Sequence, residues 1–189
     1  MIAIAERTFG VLALFAILIT VGTVVALTTR RVPTWLSEDV ALPLATSIAA
    51  VATVGSLVLS EVAGYTPCTL CWYQRIAMYP LVIVVGVAAW RRDRQVWRTA
   101  LPLSLIGAII AVWHIVIERR PALGGGVCDP AAPCAVRWVE EFGFLTLPTM
   151  ALIAFAAIAT LTLAARAAPA SEGDRRVDEH PEEATEPAG

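Results

Sequence analysis

Four cysteines carry most of the chemistry available to this chain, and they form two close pairs, Cys68 with Cys71 and Cys128 with Cys134. The first pair stands in Thr66-Pro67-Cys68-Thr69-Leu70-Cys71-Trp72-Tyr73-Gln74-Arg75, at the mouth of an apolar segment. Thr66 suits a helix N-cap and Pro67 the first helical position, so the spacing predicts both sulfurs within the first turn or so of a helix. Unpaired backbone N–H groups and the positive end of the helix dipole favour a thiolate there, and the thiolate is the form that attacks a disulfide. Arg75 lies one helical turn beyond Cys71 on the same face, where its permanent charge favours any anion that forms beside it. A Cys-x-x-Cys ring is small, and its bond tends to be a labile, exchanging one.

The elements that must hold these residues are membrane spans. The chain has 189 residues, 58% of them hydrophobic and 16% charged, with a mean hydropathy of +0.71, too apolar for an ordinary soluble domain. A net charge of −2 names no partner, and no basic block of the kind that grips nucleic acid is present. All fourteen basic residues are Arg. An even number of cysteines in close pairs suits disulfide chemistry on the oxidising side of a membrane.

Five apolar runs follow one another. Phe9 to Leu27 is uncharged over nineteen residues, enough to cross a hydrocarbon core. Its length and the flanking Glu6 and Arg7 favour a retained span over a cleaved signal peptide. Val40 to Ser60 is the second span and Cys71 to Trp90 the third, with Arg75 its one charge. Thr99 to Ile117 is the fourth, carrying His114 near its end, and Phe142 to Ala165 the fifth. The expected organisation is all-α: an extra N-terminal span and connection over 1–39, a four-helix bundle over 40–166 with two cysteine-bearing loops, and a disordered, cytoplasmic polar tail over 167–189. All six Trp lie near segment ends, where amphipathic rings settle at membrane interfaces.

Two crossings separate Cys71 from Cys128, so both pairs emerge on one side whichever way the bundle is inserted. Arg30, Arg31, Arg91, Arg92, Arg94, Arg98, Arg166, Arg175 and Arg176 lie on the opposite side, against Arg7, Arg75, Arg119, Arg120 and Arg137 beside the cysteines. Nine against five places the cysteines outside, because arginine-rich connections stay in the cytoplasm. Four thiolates could instead bind zinc. The second spacing of five residues is wider than usual for zinc, and two crossings divide the pairs, so no metal is expected. Two structural disulfides are the plainer alternative, and Cys128 to Cys134 alone could be a loop staple. Arg75 could likewise hold only a lipid phosphate.

The stretch Cys68-Thr69-Leu70-Cys71-Trp72-Tyr73-Gln74-Arg75 resembles the Cys-x-Leu-Cys-x-Tyr-x-Arg signature of the bacterial disulfide bond formation protein B family, including its shorter Gram-positive members. The likeness extends through the arginine connection, His114, the second cysteine pair and Phe142-Gly143-Phe144-Leu145-Thr146-Leu147-Pro148, covering about Val40 to Ala165. The additional N-terminal span and the short-loop form of the second pair depart from the family pattern. The resemblance implies a quinone-linked enzyme of the bacterial inner or plasma membrane that regenerates an extracytoplasmic, thioredoxin-like thiol oxidase. It implies that Cys71 contacts the quinone, ubiquinone or menaquinone, with Arg75 stabilising the thiolate and the developing quinone anion. Cys68 is then the exchanging partner of Cys71. Cys128 receives the partner's thiolate, and Cys134 passes reducing equivalents to Cys68 through an interloop disulfide. His114 is a further candidate quinone contact, and Glu61, Tyr73 and Gln74 are candidates for the pocket wall. The chemistry also follows locally, since a disulfide formed outside releases two electrons and a lipid-soluble two-electron acceptor is their natural sink.

Vitamin K epoxide reductase homologues also combine a four-helix bundle, four cysteines and a quinone, but place the quinone-side Cys-x-x-Cys after the loop pair; here it comes first. A non-catalytic membrane scaffold with stapled loops is the alternative of another class. Transport lacks support, because no acidic residue stands in mid-span.

Overall fold

A computed structural model of the protein describes residues 2–168. The polar stretch from Pro169 onward, expected above as a disordered cytoplasmic tail, lies outside the described residues. Five long helices dominate: α1 (Ile2–Thr28), α2 (Glu38–Leu57), α3 (Thr69–Arg91), α4 (Trp97–Arg119) and α5 (Leu147–Ala167). All five are long and apolar enough to cross a membrane, as the charge-free runs require. Besides short turns, the described residues add one two-stranded antiparallel ladder, β1 (Glu140–Glu141) with β2 (Leu145–Thr146).

Helices α2 to α5 form a closed ring in which α2 packs on α3, α3 on α4, α4 on α5 and α5 back on α2, while α1 packs against α5 from outside. The contacts run through small residues. Ala41, Ala45 and Ala49 recur every fourth position on α2 and are fully buried, a spacing that lets backbones approach closely where lipid offers no hydrophobic drive between helices. Gly107 of α4 serves the same end, for a Cβ there would stand 2.2 Å from the ring of Phe155 on α5, itself fully buried. Thr8, Thr20 and Thr23 on α1 return their hydroxyls to carbonyls four residues back, which hides the polar groups inside the helix.

The end remote from the cysteines is fastened by arginines. Arg30 and Arg92 both adopt left-handed backbone, φ 53° and 54°. Each terminates its helix in a Schellman pattern, with Arg31 N–H bonding to Ala26 C=O and Asp93 N–H to Ala88 C=O. Arg92 pairs with Asp39 at 2.9 Å, and Arg94 stands 3.8 Å from buried Glu38, an ion pair without a hydrogen bond. Arg94 also donates to the Ala165 and Arg166 carbonyls, capping the otherwise unpaired end of α5.

Two local expectations change. Helix α3 starts at Thr69, and its N-cap is Cys68 itself, not Thr66. Proline disfavours helical backbone in the residue before it, so Thr66 stays extended, and the Cys68 sulfur takes the capping role by accepting from the Cys71 N–H at 3.3 Å. The fifth helix starts at Leu147 rather than Phe142. Phe142 and Gly143 both have positive φ, 53° and 76°, and Phe144 N–H bonds back to Glu141 C=O. This turn joins β1 to β2, and Pro148 then opens α5.

Candidate functional site: two cysteine pairs and an apolar cavity

The alternation of α2 to α5 brings the start of α3, the end of α4 and the loop between α4 and α5 to one end of the bundle. Cys68, Leu70, Ile117 and Cys134 are buried together there, with Cys71, Ile110 and Cys128 packed against them. Cys128 and Cys134 are joined as a disulfide, Cα–Cα 5.8 Å. Cys68 and Cys71 are free thiols, with their sulfurs 2.8 Å apart. Both pairs therefore share one apolar nest, which parity required only at the level of the membrane face.

His114, on α4 and 3% exposed, stands between the pairs. Its Nε2 lies 3.1 Å from the Cys134 carbonyl oxygen and 3.6 Å from the Cys68 sulfur, and its Nδ1 lies 3.2 Å from Gln74 Nε2. The carbonyl can only accept, so Nε2 carries the proton; Nδ1 then accepts from the Gln74 amide. The Cys68 thiol is held well below the ordinary thiol range, chiefly by the hydrogen bond from Cys71 and secondarily by His114, against the opposing effect of burial. One turn further along α4, buried Glu118 accepts a hydrogen bond from Thr146 Oγ1 at 2.8 Å, tying α4 to β2.

Arg75 is 8% exposed. Its Nε donates to Ser56 Oγ at 2.9 Å and its Nη2 to the Ser56 carbonyl at 3.0 Å. Its guanidinium carbon also lies 5.1 Å from the centroid of the Trp72 ring. Among the described residues no carboxylate pairs with it, so its charge remains available to an anion. Ser56 lies just before a π turn, Val58–Val62, that ends α2; such widened turns concentrate at functional sites.

A cavity of about 360 Å³ opens beside Arg75, bounded by α1, α2, α3 and α5. Its walls are overwhelmingly apolar, and Cys71, Gln74, Arg75, Ser56 and Thr66 supply polar groups. Volume and lining suit a flat apolar molecule carrying a polar head. Of the expected site residues, Cys71 and Arg75 line this cavity, while Cys68 and the Cys128–Cys134 pair lie in the apolar nest. His114 is directed to Cys68 and Cys134 and is not among the lining residues. Gln74 does line it, whereas Glu61 and Tyr73 are exposed and do not. Sequence reasoning missed Ser56, one of five hydroxyl residues in the uncharged run Val40 to Ser60 and not distinguished from the others by sequence, and it missed the participation of α1.

A multi-pass apolar bundle with two cysteine pairs gathered at one end is built for thiol–disulfide exchange. The chain belongs to the disulfide bond formation family: residues 38–165, more than half of it, match the family model described as "Disulfide bond formation protein DsbB". It is 43% identical over 109 residues to "Disulfide bond formation protein C" of Bacillus subtilis (strain 168), covering 57% of this chain and 79% of that protein. It is 41% identical over 124 residues to "Probable disulfide formation protein C 1" of Bacillus anthracis, covering 65% and 88% respectively. A "Probable disulfide formation protein" of Oceanobacillus iheyensis is 44% identical over 114 residues, covering 59% of this chain and 79% of its own length. No solved structure matches the chain significantly. The family resemblance read from the Cys-x-Leu-Cys-x-Tyr-x-Arg stretch is thereby borne out, and it implies a membrane thiol–disulfide oxidoreductase.

Proposed function

We propose that the protein reoxidises an extracytoplasmic, thioredoxin-like thiol oxidase and delivers the electrons to a membrane quinone, which supports disulfide formation in exported proteins. The observation that carries this reading is the division of one dithiol between two environments. Cys68 faces the loop disulfide and His114, while Cys71 and Arg75 line the apolar cavity. The excess of arginine at the opposite end supports an orientation with the cysteine end outside. A zinc role has less support, because Cys128 and Cys134 are already bonded to each other and, among the described residues, the remaining candidate ligand group is Cys68, Cys71 and His114.

The sequence of exchanges balances. The partner's thiolate attacks Cys128 and breaks its bond to Cys134. The Cys134 thiolate attacks Cys68 of an oxidised Cys68–Cys71 pair and frees the Cys71 thiolate beside Arg75. The partner's second thiol closes the partner's disulfide and releases Cys128, which then re-forms the bond to Cys134 and frees Cys68. Two thiols now stand at Cys68 and Cys71, the arrangement of this structure. A quinone in the cavity supplies the acceptor for the two electrons and two protons released as Cys68 and Cys71 close again. The Nε2–H of His114, bonded to the Cys134 carbonyl, keeps that loop against Cys68 and offers a donor to its thiolate. Arg75, fixed by Ser56, presents positive charge where Cys71 and the acceptor become anionic.

The test is steady-state turnover with purified protein, a reduced thioredoxin-like thiol oxidase and quinone, followed by quinone absorbance. Turnover is expected and Cys71→Ser should abolish it; no quinone consumption with any lipid quinone would leave the scaffold reading in its place.

A further inference from the structure

The family match begins at residue 38, so α1 lies wholly outside it. Yet α1 supplies a wall of the cavity that holds Cys71 and Arg75. Phe9, Leu12, Ala13, Ala16 and Ile19, at helical spacing on one face of α1, all line it. We propose that α1 is part of the quinone site, closing over the ligand so that a groove of the four-helix core becomes a pocket with α1 as its selective wall. This rests on the quinone reading above.

Three contacts at the cysteine end hold α1 in that place. Tyr65, in the segment leading to α3, donates its hydroxyl to the Glu6 carboxylate. The Phe9 ring fills the notch left by Gly55 of α2, where a Cβ would stand 2.9 Å from the ring. Gly10 lies against the β1–β2 turn, and a Cβ there would meet Glu141 and Phe142 at 3.3 Å. Along the rest of its length α1 packs on α5 and stands away from α2, which leaves the cavity between them.

The shape fits a prenylated ring rather than a compact solute. From Phe9 to Ile19 the lined face of α1 runs about 15 Å at about 1.5 Å per residue. The charged and thiol groups, Cys71 and Arg75, belong to the first two turns of α3, at the Phe9 end, whereas Ile19, Leu44 and Ile48 lie deeper and are purely apolar. Cys71 and Arg75 would hold the redox-active head, and the apolar face of α1 would hold an isoprenoid tail. Trp138, stacked on Tyr65 with centroids 5.1 Å apart, also lines the cavity and joins the loop to this wall.

Binding and labelling test the proposal without relying on turnover. A short-chain azidoquinone, photolysed with the full-length Cys71→Ser protein in nanodiscs, is expected to label peptides of α1 between Phe9 and Ile19 as well as α2 or α3. Phe9→Ala should weaken binding of the same quinone, read by tryptophan quenching, by about five- to tenfold, the scale of one aromatic wall contact. Leu18→Ala, on the opposite and exposed face of α1, should leave it unchanged. Label confined to α2, α3 and α5, with Phe9→Ala binding as tightly as the parent, would overturn the role of α1 and leave the quinone reading standing. Absence of saturable binding to the parent protein would overturn both.

Discussion

Replacing Arg75 by glutamine removes one charge from the centre of the site and leaves most of the packing in place. Arg75 is buried, and its guanidinium is held by two hydrogen bonds to Ser56 and by the face of Trp72. No described carboxylate neutralises it. Side chains four apart on a helix stand about 5–6 Å from one another. With an effective dielectric constant of about 20, a pair of opposite unit charges at about 6 Å is worth about 2.8 kcal/mol, a factor of about 100 in rate. Arg75→Gln is therefore expected to slow quinone reduction about a hundredfold while quinone affinity, set mainly by the apolar walls, changes far less. Arg75→Lys keeps the charge but lacks the planar fork that engages both the hydroxyl and the carbonyl of Ser56, and should fall between the two, about tenfold down. The assay is anaerobic stopped-flow mixing of protein carrying reduced Cys68 and Cys71 with excess quinone, with the thermal midpoint as the control for folding. A folded Arg75→Gln protein that reduced quinone within about threefold of the parent rate would refute the electrostatic role and leave the guanidinium a structural tie between α2 and α3.

Further outcomes follow from the same geometry. Gly107→Ala would drive a methyl group into the buried ring of Phe155. It should cost about 1–3 kcal/mol in thermal or denaturant unfolding, with Phe155→Leu in the same chain restoring part of the loss. In the fully reduced protein one thiolate, on Cys68, should persist in ultraviolet titration as the pH falls below the ordinary thiol range. Cys71→Ala should move that midpoint upward most and His114→Ala by less, in the order of the two interactions that favour the thiolate. Because the folded-state pKa of Cys68 is depressed, the stability it contributes is present above the unfolded thiol range and is lost as pH falls through the folded value; the reduced pair should be acid-sensitive in that sense. A reduced partner lacking its second cysteine should be trapped as a mixed disulfide with Cys128 on non-reducing gels, its thiolate displacing Cys134 from the Cys128–Cys134 bond, whereas a Cys128→Ser protein oxidising its partner at the parent rate would remove the relay.

The spans were legible because charge is nearly absent from them, and a helix in lipid announces itself by length and apolarity alone. The cysteine–arginine stretch was equally legible, since its residues are contiguous and their spacing matches one helical face. What stayed hidden depends on contacts between distant segments. Ser56 lies nineteen residues before the arginine it binds, and its carbonyl contributes as much as its side chain. The face that α1 turns toward the cavity is no more polar than the face it turns to lipid, so polarity cannot disclose it. Phe142 to Thr146 is uncharged and so resembles the start of a span, but a left-handed pair, Phe142 and Gly143, makes it a turn. In the sequence the arginines near residue 92 carry an orientation signal, and in the fold two of them also tie helix ends together.

The most direct test is a single turnover. Purified protein with Cys128 and Cys134 oxidised and Cys68 and Cys71 reduced is mixed anaerobically with a stoichiometric amount of quinone, and free thiols and quinol are then counted. One quinol should appear for each pair of thiols lost, with Cys68 and Cys71 recovered as one disulfide by peptide mapping. Thiols that stay reduced while quinone remains unconsumed would contradict electron transfer from this pair into the cavity.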